Sequence, residues 1–170
     1  MTQQKTHAIF NYFEHKTIQH NQLFSPMIEV TDACNAICQF CYRRDGGNVY
    51  PPTFIPISSI ESIVKELREL GAINVLLSGG DPLCHPEIDK ILDCIRANRM
   101  AFTLITNGIG FSTSTIEALI NDYTYSVIIS LHTNNSDTYS KLLNVEPTVL
   151  DRVAENVKLL HNSDVNVQVT

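Results

Sequence analysis

Cys34, Cys38 and Cys41 stand in the run Cys34-Asn35-Ala36-Ile37-Cys38-Gln39-Phe40-Cys41-Tyr42, directly after a short apolar stretch that begins at Met27. The C-x3-C-x2-C spacing brings three thiolates out of one tight loop. A closed structural metal site wants a full ligand set, whereas a site that does chemistry keeps one position open. A cube of iron and sulfide held by three thiolates has one iron free to take another ligand. Zinc is the structural alternative, with Cys84 or a histidine as fourth ligand, although zinc motifs more often use C-x2-C pairs.

Three further short sets follow apolar runs: Gly79-Gly80-Asp81-Pro82, Thr106-Asn107-Gly108 and Ser130-Leu131-His132. Each sits where a strand should end, as the cysteines do. In barrels and open parallel sheets that is the end where ligands bind. Agreement among four loops carries more weight than any one motif. Taken singly, Asn107 could simply occupy a turn, since Asn-Gly is a strong turn signal, and Asp81 could cap the next helix. Cys94, at helical spacing from Ile91, reads as a small core residue. Cys84 is either a loop thiol without a role, an extra cluster ligand, or a thiol that acts on substrate.

The elements that must position these residues alternate. Met27–Thr31 reads as a strand feeding the cysteine loop. A helix is expected from Ser58, where Ser58 and Glu61 have capping-box spacing, with Ile60, Ile63, Val64, Leu67 and Leu70 as its stripe and Gly71 as its end. Strand 73–77 precedes the glycine pair. A helix from Pro86 carries Ile88, Ile91, Leu92 and Ile95, and strand 101–105 ends at Thr106. Then come a helix near 114–121, the apolar strand 126–131, a helix over 148–161 and a fifth strand, 165–169. Helices between successive strands imply right-handed crossovers and a parallel sheet. Five strands and four helices make an α/β fold of the partial (β/α) barrel kind.

The chain is long enough at 170 residues for one domain, and its 44% hydrophobic and 18% charged composition is that of an ordinary globular protein. Acidic residues outnumber basic ones by 18 to 12, and no Lys/Arg run is present, so neither nucleic acid nor membrane is an expected partner. Arg43-Arg44 is the one local basic spot, free to face an anionic substrate or solvent. Five cysteines cannot all pair within the chain, and clustered thiols fit a cytoplasmic protein that binds metal. The polar start, with His7, His15 and His20, lacks a signal peptide's apolar core. It is read as a leader or small helix over 1–24, ahead of a core domain over 25–170.

From the cysteine loop with Phe40 before its last cysteine, through Gly79-Gly80-Asp81-Pro82, Thr106-Asn107-Gly108 and Ser130-Leu131-His132, the sequence resembles the radical S-adenosylmethionine (SAM) enzymes. The resemblance implies a [4Fe–4S] cluster on Cys34, Cys38 and Cys41, with SAM chelating the fourth iron. It implies reductive cleavage of SAM to a 5′-deoxyadenosyl radical that abstracts hydrogen, with an electron donor such as flavodoxin or ferredoxin. Gly79 and Gly80 would let backbone approach the SAM methionine group, and Asp81 would hold its ammonium, where most relatives have Glu. Phe40 would lie near the adenine, Ser130 near the ribose or carboxylate, and Asn107 in the same cofactor pocket. Lys141 stands where some relatives use Arg on the SAM carboxylate.

Where many relatives read Ser-Leu-Asp-Gly, this chain has Ser130-Leu131-His132-Thr133. His132 is therefore either a substrate-side acid or base, or a hydrogen-bonded structural residue. The family core has six strand–helix units and this sequence supplies five, so a core truncated after about five strands is expected. Pro26 to Thr31 and Cys41-Tyr42 resemble the peptide- and protein-modifying, SPASM-type maturase branch. A small-molecule enzyme of cofactor biosynthesis is the second reading, and a cluster-binding fragment without turnover the third.

Overall fold

The computed structural model describes residues 23–43 and 51–170. The expectations placed on 1–22, on Arg44 and on Gly46-Gly47 lie outside the described residues. Five strands form one sheet in the order β1 (Met27–Thr31), β2 (Asn74–Gly79), β3 (Ala101–Thr106), β4 (Thr124–Ile129) and β5 (Val167–Val169). Every pairing is parallel, and the sheet is not closed. Between the strands lie α1 (Ile57–Glu69), a 3₁₀ turn (Pro82–Cys84), α2 (Ile88–Ala97), α3 (Thr113–Leu119), α4 (Ser136–Leu143) and α5 (Val149–Asn162).

Strand order equal to chain order in an all-parallel sheet, with right-handed crossovers as the rule, stacks the long helices on one face. That face is apolar. Val30, Leu77, Leu104, Val127 and Ile129 are buried there against Ile60, Val64, Ile91, Leu92 and Val153 of the helices. The register puts Glu29 beside Ser78, Leu76 beside Thr103, Thr103 beside Ser126, and Ile128 beside Gln168 on the opposite face. Among the described strand residues of this inner face, Glu29 is the only charged one. The alternation of apolar and polar residues, period two, thus separates a helix-covered apolar side from a more polar side, where Thr103 and Ser126 are nevertheless buried.

Two local expectations are corrected. The capping box at Ser58 does not form: α1 begins at Ile57 with Pro56 as its N-cap and no side-chain cap bond. Pro at that position already sets the entry angle, and Ser58 lies inside the helix, its carbonyl accepting from the Ser62 hydroxyl. The second helix starts two residues later than Pro86, because Asp81 first caps the separate turn Pro82–Cys84.

A fifth α-helix, α4, escapes sequence periodicity. It spans two turns, too few for an apolar stripe to repeat, so its signal lies in its ends. Asn135 caps the start by accepting from the Thr138 amide, and Asn144 closes the other end in the left-handed region, φ 54°.

Candidate cofactor site at the strand ends

The cysteine loop is fixed from both sides by backbone hydrogen bonds. On one side β1 bulges between Glu29 and Thr31, which turns Thr31 to pair with Gly79. The ladder then runs past the strand end: Gly80 N donates to Thr31 O and Asp81 N to Ala33 O, both at 2.8 Å. Ala33 immediately precedes Cys34. On the other side, Ile37 N and Gln39 N donate to Leu143 O and Leu142 O, each at 2.9 Å, and Gln39 Nε2 donates to Lys141 O. These acceptors are the last carbonyls of α4, which have no partner within their own helix. The loop amides and the helix end satisfy one another.

Space explains the two glycines. A Cβ at Gly79 would lie 2.2 Å from Thr31 O, and one at Gly80 would lie 2.2 Å from Ala33 O and 2.6 Å from Asp32 O. The close approach seen here is to the backbone that carries the cysteines, where the sequence suggested an approach to a ligand. The reading of Asp81 changes as well. Its carboxylate is 1% exposed and faces inward, where Oδ1 accepts from Leu83 N, Oδ2 from Asn107 N, and both oxygens from the Thr106 hydroxyl. Such a carboxylate is not presented to a ligand ammonium; it ties the β2 exit to the β3 exit. A shorter acid than the expected Glu suits that inward role.

Burial pushes the Asp81 pKa up, against the pull of the Asn107 amide, the Thr106 hydroxyl and the Leu83 amide. A carboxyl raised above its unfolded value near pH 4 binds its proton more tightly in the folded chain. Its stabilising contribution is complete below about pH 4 and is lost as pH rises through the folded value. Asp81→Asn, which cannot ionise, is expected to flatten that decline. The check is the difference between the urea midpoints of the two proteins, followed upward from about pH 4.

Asn107 belongs to the same framework. Its Nδ2 donates to Asn35 Oδ1 at 2.7 Å and lies 3.8 Å from Cys34 Sγ, while its Oδ1 accepts from Ile109 N. Asn107 therefore both closes its own turn and reaches across to the cysteine loop. Ser130 follows β4 and extends its ladder, donating its amide to Thr106 O. His132 lies next along, with φ 41° and its amide on Thr170 O. Thr133 N donates back to Leu131 O, so His132 is the centre of a tight three-residue turn, a conformation uncommon for a side chain of this size. Its ring meets that of Phe40 edge-on, centroids 4.7 Å apart. Phe40 is thus brought to the β4 exit. Lys141 is exposed and lines a groove of about 570 Å³ with Asn35, Ile109, Ser140 and Val149.

The thiols of the loop hold their protons tightly. Burial raises the Cys34 pKa, with further upward pressure from the Asp81 and Cys41 charges. Cys38 is pushed up to about 11 by burial and by Cys34 and Cys41. Ionising the three together would call for a positively charged, thiophilic partner. Cys84 is likewise pushed up to about 11, by burial and by the Asp81 and Cys34 charges. Among the described residues no group of three His, Cys, Asp or Glu side chains is gathered as a ready metal site. Cys94 lies away from these loops, in α2, packed against the main core and near Glu61. Arg43 leaves the loop and pairs with Glu29 at 3.4 Å, and the Tyr42 hydroxyl reaches the same carboxylate. No helix among the described residues is long and apolar enough to cross a membrane.

Known proteins resemble the chain in the same region. A family profile described as the radical SAM superfamily matches residues 28–170. A probable GTP 3′,8-cyclase of Thermococcus kodakarensis is 28% identical over 148 residues, covering 84% of this chain and 46% of that protein. A GTP 3′,8-cyclase of Clostridium acetobutylicum is 32% identical over 138 residues, covering 78% of this chain and 42% of that one. The chain therefore spans less than half the length of these relatives. Among solved structures, Streptococcus suis SuiB, bound to its precursor peptide SuiA, superposes with a TM-score of 0.76 at 24% identity. That superposition covers 91% of this chain and 35% of SuiB. SuiB bound to S-adenosylmethionine superposes equally well.

Proposed function

Because this chain belongs to the radical SAM superfamily, whose cofactors are a [4Fe–4S] cluster and SAM, we propose that Cys34, Cys38 and Cys41 ligate that cluster. When bound, the cluster and SAM together supply a 5′-deoxyadenosyl radical, which takes hydrogen from an unactivated C–H bond. The protein's share is to bind, orient and exclude. Gly79, Gly80 and Asp81 hold the cysteine loop against the sheet, and Asn107 steadies Cys34. Ser130 and Lys141 are assigned to SAM, at its ribose and carboxylate. Phe40 shields the adenine side, and His132 stands at the substrate's edge of the site. The observation that carries this reading is the convergence of the β2 and β3 exits on the cysteine loop through bonds of 2.7–2.8 Å.

For the substrate we favour a peptide or protein side chain. The inner face of the sheet offers the half-buried Ser78 and the exposed Gln168, with Glu29 as its single charge among the described strand residues. Arg43, the nearest described cation of the cysteine loop, is already paired with Glu29. A nucleoside triphosphate calls for cations, and arginine forks above all. A small-molecule substrate is the second reading, favoured by the curated relatives, which are named as GTP 3′,8-cyclases.

The anaerobically reconstituted protein, given SAM and a reductant such as dithionite, or a flavodoxin or ferredoxin, is expected to release methionine and 5′-deoxyadenosine. A brown protein that yields neither would reduce the chain to a cluster-binding fragment. A colourless zinc-loaded one would end the radical reading. Consumption of GTP in the same assay would replace the peptide reading by the second.

A further inference from the structure

Tyr139 is the largest fully buried side chain among the described residues, 0% exposed in α4, yet its hydroxyl has no hydrogen-bond partner within the protein. A buried hydroxyl left unpaired costs about 1–3 kcal/mol, and a phenylalanine would fill the same space without that cost. A fold needing only the ring has no use for the oxygen. With Leu143 and Leu150, Tyr139 forms a small apolar cluster separate from the main core. Packed against that cluster are Ala36 and Cys38 of the cysteine loop, Ile109 after β3 and Leu131 after β4. The cluster thus sets the buried ring of Tyr139 beside the Cys38 end of the cysteine loop.

We propose that Tyr139 is a positioning residue of the cluster, its hydroxyl donating a hydrogen bond to the Cys38 thiolate once iron is bound. This rests on the assignment of Cys38 as a ligand. A thiol is a poor acceptor, whereas a thiolate on iron is an anion that a buried O–H can meet. Hydrogen bonds to cluster sulfurs hold the ligand in place and are one of the levers on reduction potential. The orphaned hydroxyl is then a group prepared for the loaded state.

Tyr139→Phe keeps the ring and removes only the oxygen. In the iron-free chain the melting temperature should be unchanged or higher, because only an unpaired group is lost. In the reconstituted chain the midpoint potential, followed by electron paramagnetic resonance during a redox titration, should move to more negative values. Cluster loss to a chelator should be several-fold faster. Equal potentials and equal loss rates in the two proteins would overturn the proposal, as would an iron-free melting temperature that drops in the variant. If the wild-type chain takes up no cluster at all, the ligand assignment falls and this inference with it. If the wild type takes up a cluster and the variant is indistinguishable, only the role of Tyr139 falls.

Discussion

Cys38→Ala is expected to abolish the [4Fe–4S] absorbance and paramagnetic signal of the reconstituted protein, as are Cys34→Ala and Cys41→Ala, while Cys94→Ala leaves both intact. The loss should be complete rather than graded, because a three-thiolate cube has no spare protein ligand. The loop cannot easily recruit another: its amides are bonded to the α4 carbonyls on one side and to the β2 exit on the other. Cys84 is the nearest substitute in chemistry, close enough for the Cys34 charge to act on it. Cys94 serves as the control, since α2 packs it among core residues. Iron content, absorbance near the cluster's visible band and far-UV circular dichroism on each variant make the check. A Cys94→Ala protein that stays folded but colourless would sink the ligand assignment.

The contrast between these two cysteines shows why part of the site was legible in the sequence. Spacing within one loop is a local property, so Cys34, Cys38 and Cys41 declare themselves, and the four strand exits follow from apolar runs of the right length. What the sequence hid depends on contacts between elements. Asp81 stands after two glycines beside a cofactor loop, a setting that suggests an exposed acid. Its inward turn becomes visible only when Thr106 and the Asn107 amide, 25 and 26 residues on, come within bonding distance. The helix α4 was missed for a similar reason. Its worth to the site lies in carbonyls at its C-terminus, and carbonyls leave no mark on residue type. Tyr139 reads as an ordinary aromatic until its surroundings show that the hydroxyl is alone.

Gly80→Ala tests whether the glycine pair serves the cysteine loop rather than leaving room for a ligand. The new methyl carbon would sit 2.2 Å from Ala33 O and 2.6 Å from both Ala33 C and Asp32 O, all backbone atoms. No rotamer can relieve that contact, so the loop must move, and the bonds from Gly80 N to Thr31 O and Asp81 N to Ala33 O must stretch or break. Forcing extra volume into a packed site typically costs about 1–3 kcal/mol, and a contact with backbone alone puts the expected loss at or above about 3 kcal/mol. Displacing Ala33 also displaces Cys34, so the variant should reconstitute little cluster even under conditions where it remains folded. Gly71→Ala is the comparison. Gly71 sits at φ +92°, and a methyl group added there would meet nothing within 4 Å. It should lose roughly 1–2 kcal/mol from backbone conformation alone and keep its cluster. Urea unfolding of both iron-free variants, paired with their cluster absorbance after reconstitution, separates the two causes. Full reconstitution of Gly80→Ala at wild-type stability would mean that the loop is not held where the β1–β2 contact places it.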